Sequence, residues 1–551
     1  MGNSLSGSAG SPWRRTMRAF MAATMALGVL GVMPGSTALQ TRQAEAGIKA
    51  HPMLLQMAQQ RPDQTVSVIV QKWGKDSSVE QYVQAAGGKV TKDLSIINAF
   101  AAAMPAGSVD DLAATGGVRW VSPDAAMEAA GKETSKTPTP TPTPASTCTD
   151  PSCIDTKQLK NYYIFATKVD QVWNSAPYLQ GQGMTVAVVD SGLDTTHADF
   201  SVAGDMKTPR VIGKEKFNSF TSSMSDGYGH GTHVAGIIAG NGSSDPGKMI
   251  GVAPKANLVN VKVSDDDGRA TASDVVAGMQ WVLNNKATYN IRVMNLSLNS
   301  SVYESYHTSP LNAAVEVLWF NGIVVVVSAG NNGTATLFPP ANDPFVITVG
   351  AVDDKSSAGL SDDYVTTFSA YGTTPEGFAK PDLVAPGYKI RSTLADSSDL
   401  SKKYPAYLVD DTTAYGEYFK MSGTSMAAPI VAGAVALLLQ DEPNLTPDQV
   451  KYRLKATASK NKGTPSLWPN YNATRAGAGY LDVKAAVNGT TTASANTDIQ
   501  ASQLLWSGSE PITWGSVNWN SVNWNSVNWN SVNWNSVNWN SVNWNSTYWE
   551  P

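Results

Sequence analysis

The chain has 551 residues, of which 42% are hydrophobic, and its formal net charge is −5. This length exceeds what one simple core needs, so we expect two to four segments, and the hydrophobic content is typical of a globular protein. The acidic balance gives no reason to expect nucleic acid as a partner.

The first forty residues have the features of an export signal. Arg14, Arg15 and Arg18 precede an apolar run over 19–33, and small residues follow that run. These are the parts of a secretory signal peptide, which we assign to residues 1–38. The apolar run is too short for a membrane anchor, and the arginine pair supports a twin-arginine signal only weakly. We therefore expect a product that is secreted or held on the cell surface.

Residues 45–130 predict a small α+β domain. Strand-like runs at 64–70 and 96–104 flank a helical segment at 78–86. A linker rich in Pro and Thr follows over 131–159, where alternating Pro residues favour an extended chain.

Two cysteines, Cys148 and Cys153, lie in this linker. An exported chain meets oxidising conditions, so they could form a disulfide bond that closes a short loop. Two cysteines without neighbouring histidines make a poor zinc site.

From about residue 160 to residue 489, short apolar runs alternate with helical segments. Nearly continuous apolar strands between helices predict a three-layer α/β domain with a mostly parallel sheet. Functional sites in such sheets form at the carboxyl ends of the strands. The runs lie at 184–189, 258–263, 293–298, 323–327 and 346–349, and the helical candidates at 233–239, 273–285, 311–320, 425–440 and 446–458.

One predicted helix is apolar on every face, because no residue from Met426 to Leu439 is charged or strongly polar. Such a helix belongs in the middle of a domain. Pro429 fits within a first turn, so the helix should begin near Ser425. The Ser425 hydroxyl would then lie at a helix N-terminus, where unpaired N–H groups favour developing negative charge. It could be a nucleophile or an ordinary N-cap.

Three more polar residues occur where other apolar elements end or begin. A strand stops at Asp190, a small-residue helix begins near His230, and a strand runs into Asn331. Taken singly, they could be a turn aspartate, a capping histidine and a turn asparagine. Together with Ser425 they supply an acid, a base, an oxyanion donor and a nucleophile, and all four can lie on one rim of the sheet. Their order, Asp then His then Ser, is one of the orders found in catalytic triads.

Four motifs containing these residues resemble the subtilisin-like serine proteases, or subtilases. The resemblance covers roughly residues 160–489 and implies a serine endopeptidase that acts through an acyl-enzyme intermediate on protein or peptide substrates. The motifs are Val-Val-Asp-Ser-Gly-Leu at 188–193, His-Gly-Thr-His-Val-Ala-Gly at 230–236, Ser-Ala-Gly-Asn at 328–331 and Gly-Thr-Ser-Met-Ala-Ala-Pro at 423–429.

The resemblance also implies a role for each residue. Asp190 orients His230, and His230 takes the proton from Ser425 and returns it to the leaving amine. Asn331 and the backbone N–H of Ser425 stabilise the oxyanion. The chemistry requires no cofactor. Structural calcium is common in such proteins, but we can assign no metal ligands from this sequence.

Other matched positions concern structure and substrate. The resemblance makes His197 and His233 structural, and it implies two backbone edges that bind the substrate as an added strand. One edge has Asn299 where the family usually has glycine, which could narrow the adjacent pocket. Asp265, Asp266 and Asp267 beside the other edge could favour basic substrate side chains or could be a solvated turn. The edges are Ser297-Leu298-Asn299 and Gly268-Arg269-Ala270.

Residues 45–130 then resemble the family's propeptide, which inhibits the enzyme and assists its folding. The chain would therefore have its own propeptide as a partner. Self-cleavage would fall between about residues 122 and 161.

Residues 516–545 are six copies of Ser-Val-Asn-Trp-Asn, in a tail over 514–551 that follows a linker at 490–513. A five-residue period gives no continuous stripe on a helix, and the tryptophans would alternate faces on a strand. The indoles could contact cell-wall polymers or other polysaccharides, or the repeats could form a β structure that self-associates. A disordered, Asn-rich tail is the third alternative.

A surface adhesive protein that keeps an inactive subtilase scaffold is the rival hypothesis. Such a scaffold would tolerate loss of a triad member, and this sequence retains all three. The sequence therefore favours the enzyme.

Overall fold

The computed structural model describes residues 49–129, 149–203, 205–409, 417–460 and 470–506. The predicted signal peptide, most of the Pro/Thr linker and the Trp repeats lie outside the described residues. Cys148 also lies outside them, whereas Cys153 is described and is disulfide-bonded.

The N-terminal unit is a small α+β domain, as predicted. Its second long strand begins three residues later than predicted, because Ser95–Ile97 form a 3-10 turn. The elements are α1 (Pro52–Gln60), β1 (Thr65–Lys72), α2 (Ser78–Ala85), β2 (Lys89–Leu94), β3 (Ala99–Pro105), α3 (Val109–Ala114), β4 (Val118–Pro123) and β5 (Ala126–Ala129).

Four of these strands form an antiparallel sheet in the order β2-β3-β1-β4. Alternate side chains of β1 serve two different cores, because successive strand residues point to opposite faces. Val66, Val68 and Val70 pack within the N-terminal unit. Ile69 belongs to the core of the larger domain, which covers the other face of the sheet.

The larger domain contains the remaining elements of the described chain. Its helices are α4 (Tyr163–Ala166), α5 (Val169–Trp173), α6 (His230–Ala239), α7 (Ala272–Asn284), α8 (Lys286–Tyr289), α9 (Pro310–Phe320), α10 (Asp399–Lys403), α11 (Thr424–Asp441), α12 (Pro447–Thr457), α13 (Ala473–Ala476) and α14 (Val483–Val487). Its strands are β6 (Thr185–Asp190), β7 (Ser201–Val202), β8 (Asp205–Pro209), β9 (Val211–Lys216), β10 (Asn257–Lys262), β11 (Ala270–Thr271), β12 (Ile291–Leu296), β13 (Leu298–Ser300), β14 (Val324–Ser328), β15 (Ile347–Asp353), β16 (Tyr364–Val365), β17 (Gly372–Thr373), β18 (Ala379–Lys380), β19 (Leu383–Pro386), β20 (Ile390–Thr393) and β21 (Tyr418–Met421).

The main sheet has the order β16-β15-β14-β12-β6-β10-β9, with β19 beside β15. All its pairs are parallel except that of β15 with β16. Helices α6 and α11 pack together, and α11 also packs on β12, β14 and β15, while α7 and α9 form a separate helical pair. This arrangement confirms the predicted three-layer α/β domain with a mostly parallel sheet.

The apolar helix α11 is buried along almost its whole length, as the sequence predicts. It begins at Thr424, so Pro429 lies in the second turn and not in the first. A proline there cannot donate to the carbonyl of Ser425, four residues earlier. The hydroxyl of Ser297 donates to that carbonyl instead, at 3.1 Å. By length and composition α11 could cross a membrane, but its burial is that of a core helix.

Helix α12 begins where the predicted helical segment 446–458 begins, and its first turn carries a capping box. Thr446 accepts from the backbone N–H of Gln449, and the Gln449 side chain accepts from the backbone N–H of Thr446. Helix α12 therefore starts where local chemistry favours a start, before any tertiary contact is considered.

Residues 490–506, predicted as a linker, pack against both domains. Ala501, Leu504 and Leu505 are buried in the core of the larger domain, and a 3-10 turn covers Gln503–Leu505. The sequence of this segment has no helical or strand period, so only its tertiary contacts reveal that it is part of the folded unit.

Candidate active site

The rim of the main sheet brings together an acid and a base. Strand β6 ends at Asp190 and helix α6 begins at His230, and both side chains are buried. The Nδ1 atom of His230 lies 2.7 Å from Oδ1 of Asp190. Because Asp190 can only accept when ionised, Nδ1 carries the hydrogen, and Nε2 is left able to accept a proton.

A glycine allows the helix and the strand to come this close. A Cβ atom on Gly231 would lie 2.2 Å from the carbonyl oxygen of Gly192, in the turn that follows β6. The same Cβ would lie 3.2 Å from Cβ of Asp190. A side chain here would separate His230 from Asp190.

Two opposing effects set the pKa of His230. Burial lowers it, because burial disfavours the charged imidazolium. The negative charge of Asp190 and its hydrogen bond raise it and outweigh burial, so the pKa of His230 lies above 6.5. The protonated imidazole is therefore stabilised by its partner.

Asp226 determines where helix α6 begins, and sequence reasoning missed this residue. Its carboxylate accepts from the backbone N–H groups of Gly229 and Thr232, both at 2.7 Å, and from the hydroxyl of Ser191 at 2.8 Å. The helix therefore starts at His230, near which the motif places it and three residues before the helical segment 233–239 begins. An aspartate four residues before a histidine, with glycines between them, is the signal that could have indicated the cap.

Ser425 lies in the first turn of α11 and is fully buried. Its hydroxyl donates to the carbonyl of Ser297 at 3.0 Å. The Nε2 atom of His230 is buried and has no hydrogen-bond partner in the described protein. The serine and the imidazole are thus not bonded to each other in this structure.

The orientation of the Asn331 amide follows from its neighbour Thr424. Its oxygen accepts from the backbone N–H of Thr424 at 3.0 Å and from the Thr424 hydroxyl at 3.1 Å. Because both Thr424 groups are donors, the amide oxygen of Asn331 points toward Thr424, and its NH₂ group points away from Thr424. The amide can therefore present a donor next to the start of α11.

The two predicted substrate edges hold a peptide strand, and that strand belongs to the same chain. Strand β5 lies between β11 and β13 and pairs antiparallel with both. Met127 is opposite Ala270 on one side and opposite Ser300 on the other, and Ala129 is opposite Leu298. The groove thus accepts an extended backbone as an added middle strand.

Asn299, in the groove strand β13, occupies space beside the end of β14. Its side chain is buried, its Nδ2 donates to the carbonyl of Ser328 at 3.0 Å, and the Ser328 hydroxyl donates back at 3.3 Å. A glycine at this position would leave that space open.

The acidic turn beside the other edge is largely neutralised. Arg269 forms ion pairs with Asp265 and Asp267, and Lys262 pairs with Asp266 at 2.9 Å. The preference for basic substrate side chains and the solvated turn both stay predictions, and Asp265 is buried. Gly268 adopts φ +82° in this turn, a conformation that side chains rarely adopt.

His233 and His197, for which structural roles are expected, both have hydrogen-bond partners. The Nε2 atom of His233 lies 3.0 Å from the carbonyl of Phe419, and burial lowers the pKa of His233 to about 3, so this histidine is neutral. His197 is buried and caps a short 3-10 turn by accepting from the backbone N–H of Asp199. Both fit the structural roles expected of them.

No cluster of three or more His, Cys, Asp or Glu side chains in the described parts of the chain could hold a metal ion. For the calcium that the resemblance implies, the described residues therefore offer no such cluster of side chains.

A buried acid–base pair, a serine at the start of a helix and a groove that binds an extended strand together define a serine peptidase. The model of the subtilase family matches residues 181–495, which is more than half of the chain. The chain therefore belongs to the subtilase family. A second model, of a peptidase inhibitor domain, matches residues 36–124, so this subtilase carries an inhibitor-like propeptide domain.

Known proteins agree with this assignment. Serine protease AprX of Bacillus subtilis is 38% identical over 346 residues, which cover 61% of this chain and 73% of AprX. Subtilisin DY of Bacillus licheniformis is 33% identical over 329 residues, covering 59% of this chain and 97% of that protein. The crystal structure of fervidolysin from Fervidobacterium pennivorans, a keratinolytic enzyme related to subtilisin, superposes with a TM-score of 0.58 at 27% identity. That match covers 78% of this chain and 62% of fervidolysin.

Replacing Asp190 by Asn should lower kcat by roughly 10⁴-fold, because the amide would favour the wrong imidazole tautomer. It should also move the acidic limb of the pH–kcat/KM profile below pH 6.5, because burial would then dominate the pKa of His230. Hydrolysis of a small peptide from pH 4 to 9 measures both effects. The exposed Asp441→Asn is the control, and an unchanged acidic limb in Asp190→Asn would contradict the assigned pairing.

Proposed function

We propose that the chain is the exported zymogen of a serine endopeptidase. Residues 1–38 are its signal peptide, 45–130 its propeptide, 131–159 a linker and 160–489 its peptidase domain, with release to the outside or retention on the cell surface. The observation that carries the proposal is strand β5, which ends the described propeptide and lies in the groove as a substrate would.

In the proposed mechanism the Ser425 oxygen attacks the scissile carbonyl carbon, while its proton passes to Nε2 of His230. The carbonyl electrons move to the oxygen, which the Asn331 NH₂ group and the Ser425 N–H stabilise. The C–N bond then breaks, and His230 gives its proton to the leaving amine. Water hydrolyses the resulting ester by the same steps, with His230 again as base and acid.

The contact between Ser425 and Ser297 suggests how the substrate prepares the nucleophile. Ala129 pairs with Leu298, and the carbonyl of the preceding residue, Ser297, accepts the Ser425 hydroxyl. A substrate that continues the strand by one residue would offer a backbone N–H to the same carbonyl. We propose that this N–H displaces the hydroxyl, which then turns toward His230.

The chemistry uses side chains and backbone groups alone, so no cofactor takes part in it. Subtilases typically bind structural calcium, and a calcium site in this chain remains a prediction. The partners are protein or peptide substrates and the chain's own propeptide.

The strand register also suggests where the propeptide is cut. A chain that continues beyond Ala129 rises about 3.3 Å per residue, so it reaches Ser425 within about two or three residues. We propose that self-cleavage occurs there, in the sequence Ala129-Ala130-Gly131.

Ser425→Ala should abolish both peptide hydrolysis and propeptide cleavage, because no other group can form the ester. The wild-type mature enzyme should begin within about three residues after Ala129. N-terminal sequencing and mass spectrometry of the purified protein measure these outcomes. The exposed Ser222→Ala should process and hydrolyse normally, and a cleaved, active Ser425→Ala protein would refute the proposal.

We further propose that the Trp repeats act outside catalysis, in attachment to the cell surface or to a polysaccharide. A chain that ends at Trp506 should hydrolyse a small peptide at the wild-type rate but should be released from cells more readily. Activity assays on washed cells and on the medium measure this. A folded truncated enzyme without peptidase activity would contradict the separation of roles.

A further inference from the structure

The segment from Gln500 to Trp506, here called the strap, is anchored on the peptidase domain by polar contacts. The hydroxyl of Tyr306 donates to the carbonyl of Gln500 at 3.1 Å. The backbone N–H of Ser502 donates to Glu316 at 2.7 Å, and its hydroxyl donates to the carbonyl of His307 at 3.1 Å. Glu316 is fully buried in α9, so the strap supplies a hydrogen bond to a carboxyl group that water cannot reach.

The other side of the strap faces the propeptide. The carbonyl of Leu504 accepts from the side chain of Gln71 at 2.8 Å, and the carbonyl of Gln503 accepts from the guanidinium of Arg119. Gln71 is buried, and the same nitrogen donates to Ile97 within the propeptide at 2.7 Å. The guanidinium carbon of Arg119 lies 4.3 Å from the centroid of the Trp73 ring. This stacking contact within the propeptide holds the Arg119 side chain in its orientation.

Apolar contacts join the same three parts. Leu504 and Leu505 are buried in one core cluster with Ile69 and Ile97 of the propeptide and with Leu311 of α9. If the propeptide departs, the leucines lose part of their cover and the two strap carbonyls lose their donors. Both changes disfavour departure, because buried apolar area and satisfied polar groups are lost together.

We propose that the strap is a third part of the surface that binds the propeptide, beside the substrate groove and helices α7 and α9, on which β2 and the turn Ser95–Ile97 of the propeptide pack. The partner that this surface fits is the edge of the propeptide carrying Gln71 and Arg119. Retention of the propeptide after cleavage therefore depends on the C-terminal segment of the chain. This inference rests on the proposed function only for the cleavage step, since the contacts exist in the uncut chain.

The contact can be tested in the uncut chain by hydrogen exchange. In full-length Ser425→Ala protein, adding Arg119→Ala should speed amide exchange of the strap about tenfold, because a charged hydrogen bond is lost. Adding Arg61→Ala instead is the control, since the Arg61 side chain is exposed and donates to Gln64 within the propeptide. Unchanged strap exchange in Arg119→Ala, with the propeptide folded, would overturn the contact.

The effect on inhibition is tested separately in the active chain. Arg119→Ala should shorten the delay between propeptide cleavage and the appearance of peptidase activity about tenfold, while Arg61→Ala leaves the delay unchanged. If Arg119→Ala does not fold, Gln71→Met replaces it in both experiments. If Arg119→Ala speeds amide exchange of the strap but leaves the delay unchanged, the strap has no role in retaining the propeptide. An inactive wild type would refute the proposed function but not the contact measured by exchange.

Discussion

The hydrogen bond of 2.7 Å between Asp190 and His230 is the interaction on which the active site depends. Burying an ionised carboxylate is unfavourable unless its partners compensate. Here compensation comes from the imidazole and from the backbone N–H of Ser191, which donates at 2.7 Å. The bond to the imidazole depends on the carboxyl end of β6 meeting the start of α6, and the missing side chain of Gly231 permits that approach. A parallel sheet brings such ends to one rim, so the topology itself gathers the reactive groups.

The sequence predicts elements whose signals are local. The helical segment 446–458, the apolar helix that starts near Ser425 and the alternating strands all appear close to their predicted positions. The four motifs also suffice to choose the family. These features are predictable because each depends on neighbouring residues or on a periodic pattern.

Contacts between distant residues escaped prediction. The hydroxyl of Ser297 replaces the hydrogen bond that Pro429 cannot donate to the carbonyl of Ser425. The strap is the clearest case, because residues 490–506 have no periodic pattern and become ordered only through contacts with two domains. Such features require the three-dimensional placement of residues more than a hundred positions apart.

The structure combines the Asp190–His230 pair with a propeptide strand that lies in the neighbouring groove. Strand β5 fills the groove, and the propeptide contributes to capping α7, since Asp124 accepts from the backbone N–H of Ser273 at 2.8 Å. The propeptide segment that lies in the groove therefore also stabilises the start of α7.

The most direct test of the account is reaction of the mature protein with a fluorophosphonate, followed by peptide mapping. After removal of the propeptide, the account predicts one phosphonyl group per molecule, attached to Ser425. Labelling should be absent from Ser425→Ala. A wild-type protein that is folded and free of its propeptide but resists labelling, or that carries the label on another serine, would contradict the central claim.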